Sequence, residues 1–381
     1  MKITILGAGP AGLYLSILLQ RAGIADTLTV FEQNAPDSTF GFGVVFSDSA
    51  LEFLKDDDPD IHAAITPELQ RWSDIKITHR GETLRIDGIG FTAIGRLRLL
   101  QILQQEALRL GVDIRYCTTV DSLDALAGAD LIVGADGINS LVRRADENAF
   151  GTTIRYLTNR FAWFGTTKPF DALTQTFVTH PLGVFNAHHY RYSDTMSTFI
   201  VETDAATFAN NNLATLGEDE LKALMQEVFA ETLDGHELVS NRSIWRQFPI
   251  IHNRRWSRGN TVILGDALHT AHFSIGSGTR LAFEDAIALA KALTKPLTAA
   301  PRDVPQALER YEAVRKPILD ILVGAANASA AWYETFAQKM PLQPYDFAMS
   351  YMTRTGRVSA DKLNALSPRF LAAYEQQRAK A

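Results

Sequence analysis

Three glycines near the start of the chain have the spacing of a phosphate-binding turn. Gly7, Gly9 and Gly12 form GxGxxG directly after the apolar run KITIL, and Glu32 ends the next apolar run. In such a turn the first glycine permits the sharp bend, the second lets a pyrophosphate approach the backbone, and the third lets a helix pack closely. A carboxylate placed like Glu32 can accept hydrogen bonds from ribose hydroxyls. The pattern predicts a dinucleotide site.

Two other segments place an aspartate at the end of an apolar run. GADGINSLVR carries Asp136, and ILGDALH carries Gly265 and Asp266, with Gly276 and Gly278 in the loop that follows. Such a carboxylate binds the ribityl hydroxyls of a flavin, or it caps a helix, and each motif alone leaves both readings open. No second GxGxxG follows an apolar run, as a separate NAD(P)H domain would require. The combination favours FAD as the bound dinucleotide.

The elements that must position these residues follow from periodicity. KITIL and TLTVFE predict two strands joined by an apolar helix, which is a βαβ unit. Residues 74–88 alternate around Arg80-Gly81 and predict a hairpin, whereas residues 95–111 have leucines at helical spacing. VDIRYCTTV and ADLIVGADG predict two more strands. Residues 151–254 predict short aromatic-rich strands and one helix near 217–233, and the chain beyond 303 predicts helices.

These elements predict an α/β fold in which both ends of the chain share one domain. Residues 1–73, 92–150 and 255–325 form a Rossmann-like FAD-binding domain. Residues 74–91 and 151–254 form a β-sheet-rich substrate domain, and residues 326–381 form a C-terminal helical segment. The two glycine-rich loops, far apart in the sequence, then meet on one elongated ligand. A chain of 381 residues is long enough to form two such cores.

Composition excludes several other classes of protein. A net charge of -6 argues against nucleic-acid binding, which relies on basic patches. No apolar run approaches the roughly 20 residues of a membrane span, and no secretory signal is visible. A lone cysteine, Cys117, forms no internal disulfide and reads as a small apolar strand residue. We expect a cytoplasmic monomer or homodimer without a membrane, nucleic-acid or metal partner.

Taken together, GAGPAG…E, GADGINSLVR and GDALH…GSG resemble the single-component FAD-dependent aromatic hydroxylases, whose fold is that of para-hydroxybenzoate hydroxylase. NRSIWRQFP, GFGVVFSD and the segment around GDALH resemble more narrowly the salicyloyl-CoA 5-hydroxylases and the hydroxylase half of the anthraniloyl-CoA monooxygenases. YRYSDTMSTFIVE is also similar to tryptophan hydroxylases of the violacein-pathway type. The chain departs from the broad family at His272-Phe273, where Pro-Pro is usual, and at Gln33, where arginine is common.

The resemblance implies a role for each motif residue. Arg96 contacts the flavin phosphate and ribityl region, Asp136 lies near the pyrophosphate, and Asp266 binds the ribityl chain. The loop 272–278 borders the isoalloxazine ring, which brings Gly265, Gly276 and Gly278 into the cofactor site. The residues implied for the ADP half of FAD are Gly7, Gly9, Pro10, Ala11, Gly12, Glu32 and Gln33.

The resemblance also implies the reaction. NADH or NADPH reduces FAD, O2 forms a C4a-hydroperoxide, and an aromatic ring attacks the distal oxygen. In salicyloyl-CoA the position para to the hydroxyl is carbon 5, so the product is gentisyl-CoA. Hydroxylation of a free aromatic or indole compound, or a non-hydroxylating flavin reductase, is the alternative. His272, His188 and Tyr190 are candidate catalytic groups that draw a proton from the substrate, and each also has a purely structural interpretation.

Substrate-binding residues are predicted in two groups. Trp163, Phe164 and Phe273 are candidate apolar walls, and Tyr192 is a candidate polar contact. Arg242 and Arg246 begin an arginine-rich segment, 242–258, that lacks acidic residues. Arginine suits phosphate, so this segment predicts a site for the CoA phosphates. A solvated strand edge and a site for NAD(P)H phosphates are the alternatives.

Overall fold

A computed structural model of the chain describes residues 1–47, 51–294 and 303–380. The strands are β1 Lys2–Leu6, β2 Thr27–Phe31, β3 Gly43–Ser47, β4 Gln70–Trp72, β5 Ile75–His79, β6 Glu82–Ile86, β7 Phe91–Gly95, β8 Asp113–Arg115, β9 Leu131–Gly134, β10 Thr152–Tyr156, β11 Arg160–Thr166, β12 Leu173–His180, β13 Gly183–Arg191, β14 Ser197–Thr203, β15 Leu238–Val239, β16 Pro249–Asn253, β17 Ser257–Arg258 and β18 Thr261–Ile263.

Helices connect and cover these strands. They are α1 Pro10–Arg21, α2 Glu52–Asp57, α3 Pro59–Ile65, α4 Arg96–Arg109, α5 Leu141–Arg144, α6 Glu147–Phe150, α7 Ala205–Asn210, α8 Glu218–Val228, α9 Ala230–Leu233, α10 Gly278–Thr294, α11 Val304–Tyr333, α12 Pro344–Met352, α13 Ala360–Leu366 and α14 Pro368–Lys380. Within the three described stretches, no helix is both long enough and apolar enough to cross a membrane.

A six-stranded sheet brings both ends of the chain together. Its order is β17-β18-β9-β1-β2-β8, and every pairing except β17–β18 is parallel. The predicted βαβ unit is present as β1, α1 and β2. The carboxyl ends of β1, β9 and β18 lie side by side, and parallel sheets bind ligands at that edge. The GxGxxG, Asp136 and Asp266 segments all follow these three strands.

The segment VDIRYCTTV forms a much shorter strand than the sequence predicts. β8 ends at Arg115, and Cys117 is exposed with a φ of 51°. The backbone N–H of Cys117 donates to Asn34 O instead of to a neighbouring strand. The prediction that Cys117 is a small apolar residue in a strand is therefore wrong.

A seven-stranded sheet forms the other large layer, in the order β15-β11-β14-β13-β12-β5-β6. The predicted hairpin at 74–88 is β5 and β6, and β5 joins β12 in parallel. The sequence analysis missed β12, whose first five residues are all buried and so lack the alternation that marks a half-exposed strand. One face of this sheet packs on α8, and the other packs on α11 and α12.

The predicted fold class is confirmed: a Rossmann-type layer, a sheet-rich layer and a helical C-terminal part are all present. The proposed boundary between residues 325 and 326, however, falls inside the continuous helix α11, and that between 91 and 92 falls inside β7. Residues 48–50, 295–302 and 381 of the predicted domains lie outside the described residues. The remaining domain boundaries stay predictions.

Candidate active site

The glycines of the GxGxxG turn have different physical reasons for being glycine. Gly7 has a φ of +97°, and a Cβ there would lie 2.3 Å from Ala135 O. A Cβ on Gly12 would lie 2.0 Å from Gly7 O, so α1 packs directly on the turn. Gly9 has an ordinary φ of -73°, and a Cβ there would meet nothing within 4 Å. The protein itself therefore needs glycine at 7 and 12, whereas Gly9 is the N-cap of α1 and leaves open space for a ligand beside the backbone.

Glu32 is held in place by the backbone around it. Its Oε2 accepts from Ala8 N at 2.9 Å, and its Oε1 accepts from Asn34 N at 2.8 Å and Asn34 Nδ2 at 2.7 Å. Glu32 and Gln33 line a cavity of about 540 Å³ together with Gly7, Asp136 and Arg144. We call this the adenosine cavity. Carboxylate oxygens carry further lone pairs, so Glu32 remains able to accept from a ribose hydroxyl.

Asp136 has two functions in the structure. Its Oδ2 accepts from Leu141 N at 2.6 Å and from Val142 N at 3.3 Å, which caps the short helix α5. Its Oδ1 has no partner among the described residues and is buried. Burial raises the pKa of this carboxyl. The helix cap considered from the sequence is thus present, and one oxygen is left over beside the adenosine cavity.

A second cavity, of about 320 Å³, adjoins the first because Gly9, Ala135 and Gly137 line both. We call it the active-site cavity. Pro10, Ala11, Gly276 and Gly278 also line it, whereas Gly12 and Gly265 do not. Gly265 has a φ of +59° and turns the chain from β18 toward Asp266. The loop around Gly276 and the start of α10 thereby face the turn at Gly9.

Arg96 and Asp266 both enter the active-site cavity without a partner among the described residues. The guanidinium of Arg96 makes no ion pair there, and its buried Nε lacks an acceptor. Asp266 projects into the cavity and is exposed to it, yet it lies deep in the molecule, and that depth raises the pKa of its carboxyl. Charged groups of both signs in one cavity, without hydrogen bonds to the described residues, suit a ligand that carries anionic and hydroxyl groups.

A buried network of charged and hydrogen-bonded side chains supports the loop that carries Asp266. Asp285 on α10 accepts from Gly265 N at 3.2 Å and is paired with His269 Nε2 at 2.7 Å. Its other oxygen accepts from Arg315 Nε of α11 at 2.8 Å. Burial raises the pKa of Asp285, but His269 and Arg315 lower it by more, so the net shift is downward. The sequence analysis missed Asp285, which lies on the helix and not in the motif.

The far end of the active-site cavity is an aromatic box. Phe161 and Trp163 of β11, Phe248, and Phe273 line it, with ring centroids of Phe161 and Phe273 5.2 Å apart. Successive strand residues point to opposite faces, so Phe161 and Trp163 share the cavity face. Phe164 lies on the other face in the core against α8, fully buried. The prediction for Phe164 is therefore wrong, and the sequence analysis missed Phe161.

His188 is the polar side chain that β13 presents to this box. It is buried, and neither ring nitrogen has a partner among the described residues. Burial lowers its pKa to about 3, and the charge of Arg354 adds to that effect. The imidazole is consequently neutral near pH 7, with one nitrogen that donates and one that accepts. Trp163 Nε1 is a second buried donor without a described partner.

Two tyrosines make structural contacts. Tyr190 lines the cavity, but its hydroxyl donates to Gly43 O at 3.0 Å, and burial raises its pKa. Tyr192 lies outside the lining and packs against Gly43 and Gly95, where an added Cβ would lie 2.7 and 3.4 Å from its atoms. The prediction of Tyr192 as a substrate contact is contradicted by its place outside the lining. Tyr190 as a proton acceptor stays a prediction, because it lines the cavity and its hydroxyl oxygen keeps lone pairs.

The structure also contradicts the prediction that His272 is a base. His272 does not line the cavity, and it caps the 3₁₀ turn Phe273–Ile275 by accepting at Nδ1. Ser274 Oγ lies 2.9 Å from the same nitrogen. Burial, with His188 and Arg354 nearby, lowers the pKa of His272 to about 3. A group with that pKa and an occupied Nδ1 is a poor general base at neutral pH.

The arginines of segment 242–258 do not form one cluster. Arg258 pairs with Asp146, an acid that the sequence segment did not reveal. Arg246 is exposed and its backbone exchanges two hydrogen bonds with Phe161, a wall of the aromatic box. Arg242 is exposed, with a φ of 56°, and its guanidinium lies 5.0 Å from the ring centroid of exposed Phe40. Arg242 and Arg246, the two arginines predicted to contact the substrate, are both exposed and without an ion pair in the described part of the chain, so they stay candidates for that contact.

The residues present fit FAD. The adenosine cavity, the open space at Gly9, and the unpaired Arg96 and Asp266 form one continuous series. Ribose, pyrophosphate, ribityl chain and ring would lie along it in that order. No group of three or more potential metal ligands occurs in the described part of the chain.

Fold and site together define an FAD-binding enzyme, and comparison with known proteins agrees. The family described as FAD binding domain matches residues 1–128 and 126–326, so the chain belongs to that family. A salicyloyl-CoA 5-hydroxylase from a Streptomyces species is 41% identical over 93% of this chain and 70% of its own length. The protein is accordingly an FAD-dependent monooxygenase, and the family predicted from the sequence is confirmed.

Two further comparisons extend this result. A 3-hydroxy-4-methyl-anthranilyl-[aryl-carrier protein] 5-monooxygenase from Streptosporangium sibiricum is 37% identical over 94% of this chain and 95% of its own length. The crystal structure of a variant of 2-methyl-3-hydroxypyridine-5-carboxylic acid oxygenase superposes with a TM-score of 0.71 at 18% identity, covering 96% of this chain and 95% of that one. The latter similarity concerns the fold alone.

Proposed function

We propose that this monooxygenase hydroxylates the aromatic ring of an aryl thioester such as salicyloyl-CoA, with NADH or NADPH and O2 as co-substrates. The observation that carries the proposal is the aromatic box, because it belongs to the same cavity that Arg96 and Asp266 line. The names of the two relatives support a tethered substrate, because one acts on an aryl-CoA and the other on an aryl-carrier protein. We further propose that the enzyme works in the cytoplasm, as a monomer or homodimer.

FAD supplies the redox chemistry with O2 when it is bound, and the chain's own residues supply position and a dry environment. Gly7, Gly9 and Glu32 would hold its ADP half, and Arg96 and Asp266 its central part. The rings of Phe161, Phe248 and Phe273 exclude water from the side where the substrate enters. Exclusion of water protects a reactive oxygen species from decay to hydrogen peroxide.

His188 is the proposed contact for a polar substituent of the substrate ring. Because the imidazole is neutral, it is able to accept a hydrogen bond from a phenol hydroxyl at one nitrogen. That hydrogen bond increases the electron density of the ring, which favours attack on an electrophilic oxygen at the para carbon. Burial without a described partner makes a ligand contact here favourable, since a buried polar atom left unpaired is costly.

Arg246 and Arg242 are the proposed contacts for the thioester's phosphate-bearing handle. Phe161 and Arg246 form a hydrogen-bonded antiparallel pair, so their side chains lie on one face of the sheet. The Arg246 side chain is exposed where Phe161 faces the cavity. A ligand whose ring fills the aromatic box would therefore pass its tether beside Arg246.

The test compares Arg246→Ala with Arg255→Ala, which removes another exposed arginine of the same segment. Arg246→Ala should raise KM for salicyloyl-CoA about 10-fold or more and change kcat little, because the contact persists in ground and transition states. Arg255→Ala should leave both values unchanged. Product mass analysis and NAD(P)H consumption distinguish hydroxylation from simple reductase activity.

Two outcomes would contradict parts of the proposal. Equal turnover of salicylate and salicyloyl-CoA, with Arg246→Ala indifferent to the CoA portion, would indicate a small free aromatic substrate. NAD(P)H consumption without a hydroxylated product from any aryl-CoA or free aromatic compound would indicate a reductase.

A further inference from the structure

The outward face of α11 is apolar along much of its length. Apolar residues recur there at spacings of three, one and three positions, twice over, which keeps them on one stripe of a helix. Val314 is 66% exposed, Ile318 53% and Ile321 60%, although each is a large apolar side chain. We call this stripe the α11 ridge. Its members are Val314, Pro317, Ile318, Ile321, Gly324, Ala325 and Ala328.

The opposite face of the same helix is already covered by the rest of the chain. Most surface helices of globular proteins turn one apolar face to the core and a polar face to solvent. α11 instead has apolar residues on both faces, so its outer face has the character of a surface that a partner covers. The buried residues of the inner face include Tyr311, Arg315, Leu319, Ala326 and Ala330.

The α11 ridge is complementary in size to a second copy of itself. Large residues occupy its first half, up to Ile321, and small residues occupy its second half. When two such helices pack antiparallel with Ile321 at a twofold axis, residues equally far before and after that position lie opposite each other. Each large residue then meets a small one, which lets the two helices approach closely. The opposing pairs are Val314 with Ala328, Pro317 with Ala325, and Ile318 with Gly324.

The charged side chains beside the ridge favour a second copy over a charged partner. Lys316 Nζ lies 3.8 Å from Asp320 Oδ1, and Lys291 of α10 pairs with Asp57. Arg310, one turn before the ridge, donates to two neutral oxygens, and in an antiparallel pair the two copies of Arg310 lie at opposite ends. The ridge thus brings no close like charges together, and antiparallel helix dipoles attract.

We propose that the protein forms a twofold homodimer in which the α11 ridges of the two copies pack antiparallel across Ile321. Stable dimers bury about 800 Å² on each copy, which is more than one helix face provides. The groove of about 370 Å³ between α2, α10 and α11 adjoins the ridge, and Phe53 and Ile287 extend the apolar surface there. This dimer does not depend on which aromatic compound the enzyme hydroxylates.

Sedimentation velocity of the FAD-loaded full chain, from nanomolar to micromolar concentrations, gives the dimer dissociation constant. Ile321→Asp should raise that constant at least about 100-fold, because two buried isoleucines are lost and two like charges meet at the axis. Leu108→Asp is the matched control and should leave the constant unchanged, since Leu108 lies on α4 and is 57% exposed. Thermal melts and FAD content check that both variants fold.

Cysteine cross-linking tests the register in a Cys117→Ser background, which removes the chain's one native thiol. Ile321→Cys should form a disulfide-linked dimer, because the two copies of this position meet at the axis. Ile318→Cys and Gly324→Cys should each link poorly alone and should link when the two variants are mixed. Efficient linking of either variant to itself would contradict the antiparallel register.

Two other results would overturn the dimer itself. One is a chain that stays monomeric at every concentration, or a dimer that Ile321→Asp leaves intact. The other is a monomer that co-sediments with phosphatidylcholine vesicles and loses this property in Ile321→Asp, since the ridge would then serve a lipid surface. Vesicles are therefore included as a separate arm of the sedimentation experiment.

Discussion

Replacement of Asp285 by alanine tests how the loop that carries Asp266 is supported. Asp285 is completely buried and accepts from Arg315, which is only 4% exposed, from Gly265 N, and from His269. The variant removes one of the two acidic partners of the buried Arg315 charge, and breaking a buried pair in this way costs about 3–5 kcal/mol. Glu284 still pairs with Arg315 at 2.8 Å, so we expect the lower end of that range.

The matched control is Glu284→Gln. Glu284 and Asp285 both pair with Arg315. Glu284, however, makes no hydrogen bond to the described residues of the loop that carries Asp266, and its side chain is 14% exposed. Glu284→Gln should therefore lower the free energy of unfolding by less than Asp285→Ala does, and it should leave FAD affinity unchanged. Asp285→Ala should lower both, because Gly265 N and His269 lose the acceptor that holds the turn before Asp266.

Urea unfolding of the apoprotein gives the stability difference free of ligand effects, and fluorescence titration with FAD gives the affinity. Asp285→Ala/Arg315→Met should recover part of the lost stability, since it removes the stranded charge, but it should not recover FAD affinity. A loss of under about 1 kcal/mol in Asp285→Ala would refute the reasoning about the buried charge. An equal loss of FAD affinity in Glu284→Gln would refute the assignment of the loop contact.

Two further predictions concern the cofactor turn and a buried acid. Gly9→Ala should lower apoprotein stability by no more than about 1 kcal/mol, the cost of alanine at a helix N-cap, because its Cβ meets no protein atom, yet it should lose FAD. Gly12→Ala should destabilise the apoprotein more, through the 2.0 Å approach to Gly7 O. Thermal melts and FAD content separate the two, and normal FAD content in Gly9→Ala would refute a pyrophosphate at that point. Glu202 accepts a hydrogen bond from Asn159 Nδ2 at 2.8 Å, and burial raises the pKa of its carboxyl to about 8. In the unfolded chain the same carboxyl loses its proton above about pH 4.3, so between these pH values only the folded protein holds that proton. The extra proton on Glu202 makes the free energy of unfolding fall between about pH 5 and 8, by up to about 1.4 kcal/mol per pH unit. Glu202→Gln should remove that slope in urea titrations at several pH values, and an unchanged slope would contradict the raised pKa of Glu202.

Sequence patterns predict which motif residues meet at one edge of the parallel sheet, because these residues belong to local motifs. Gly7, Glu32, Asp136 and Asp266 each follow a short apolar strand, and parallel strands place such positions at one edge. The substrate half depends on which face of a strand each residue occupies. β13 and β14 are almost entirely buried on both faces, so hydrophobic alternation does not separate His188 from its neighbour His189. The pairing of β13 with β12 and the packing of α11 on one face of the sheet decide which of the two histidines faces the cavity.

The error at Phe164 has the same origin. FAWFGTT contains three aromatic residues, and period two alone places Phe161 and Trp163 on one face and Phe164 on the other. The sequence does not say which of those faces meets the ligand, since the core against α8 also needs large apolar side chains. The error at His272 has a different origin. The pKa of His272 is lowered in part by the charge of Arg354, which lies 82 positions later in a helical region that carries no recognisable motif.

The residues that mark the site most clearly are those whose chemistry the protein leaves unused. Gly9 is a glycine without a steric or conformational reason, Arg96 and Asp266 are opposite charges without partners among the described residues, and both nitrogens of His188 are unpaired there. Arg96 Nε and the two nitrogens of His188 carry a cost in the isolated chain, since unpaired buried polar atoms destabilise a fold. Asp285, by contrast, is as deeply buried but fully bonded, and its contacts explain it without a ligand. The four cavity residues named first line one continuous space from the first turn of the chain to β13, and the shape of that space suits one extended ligand with a ring beside it.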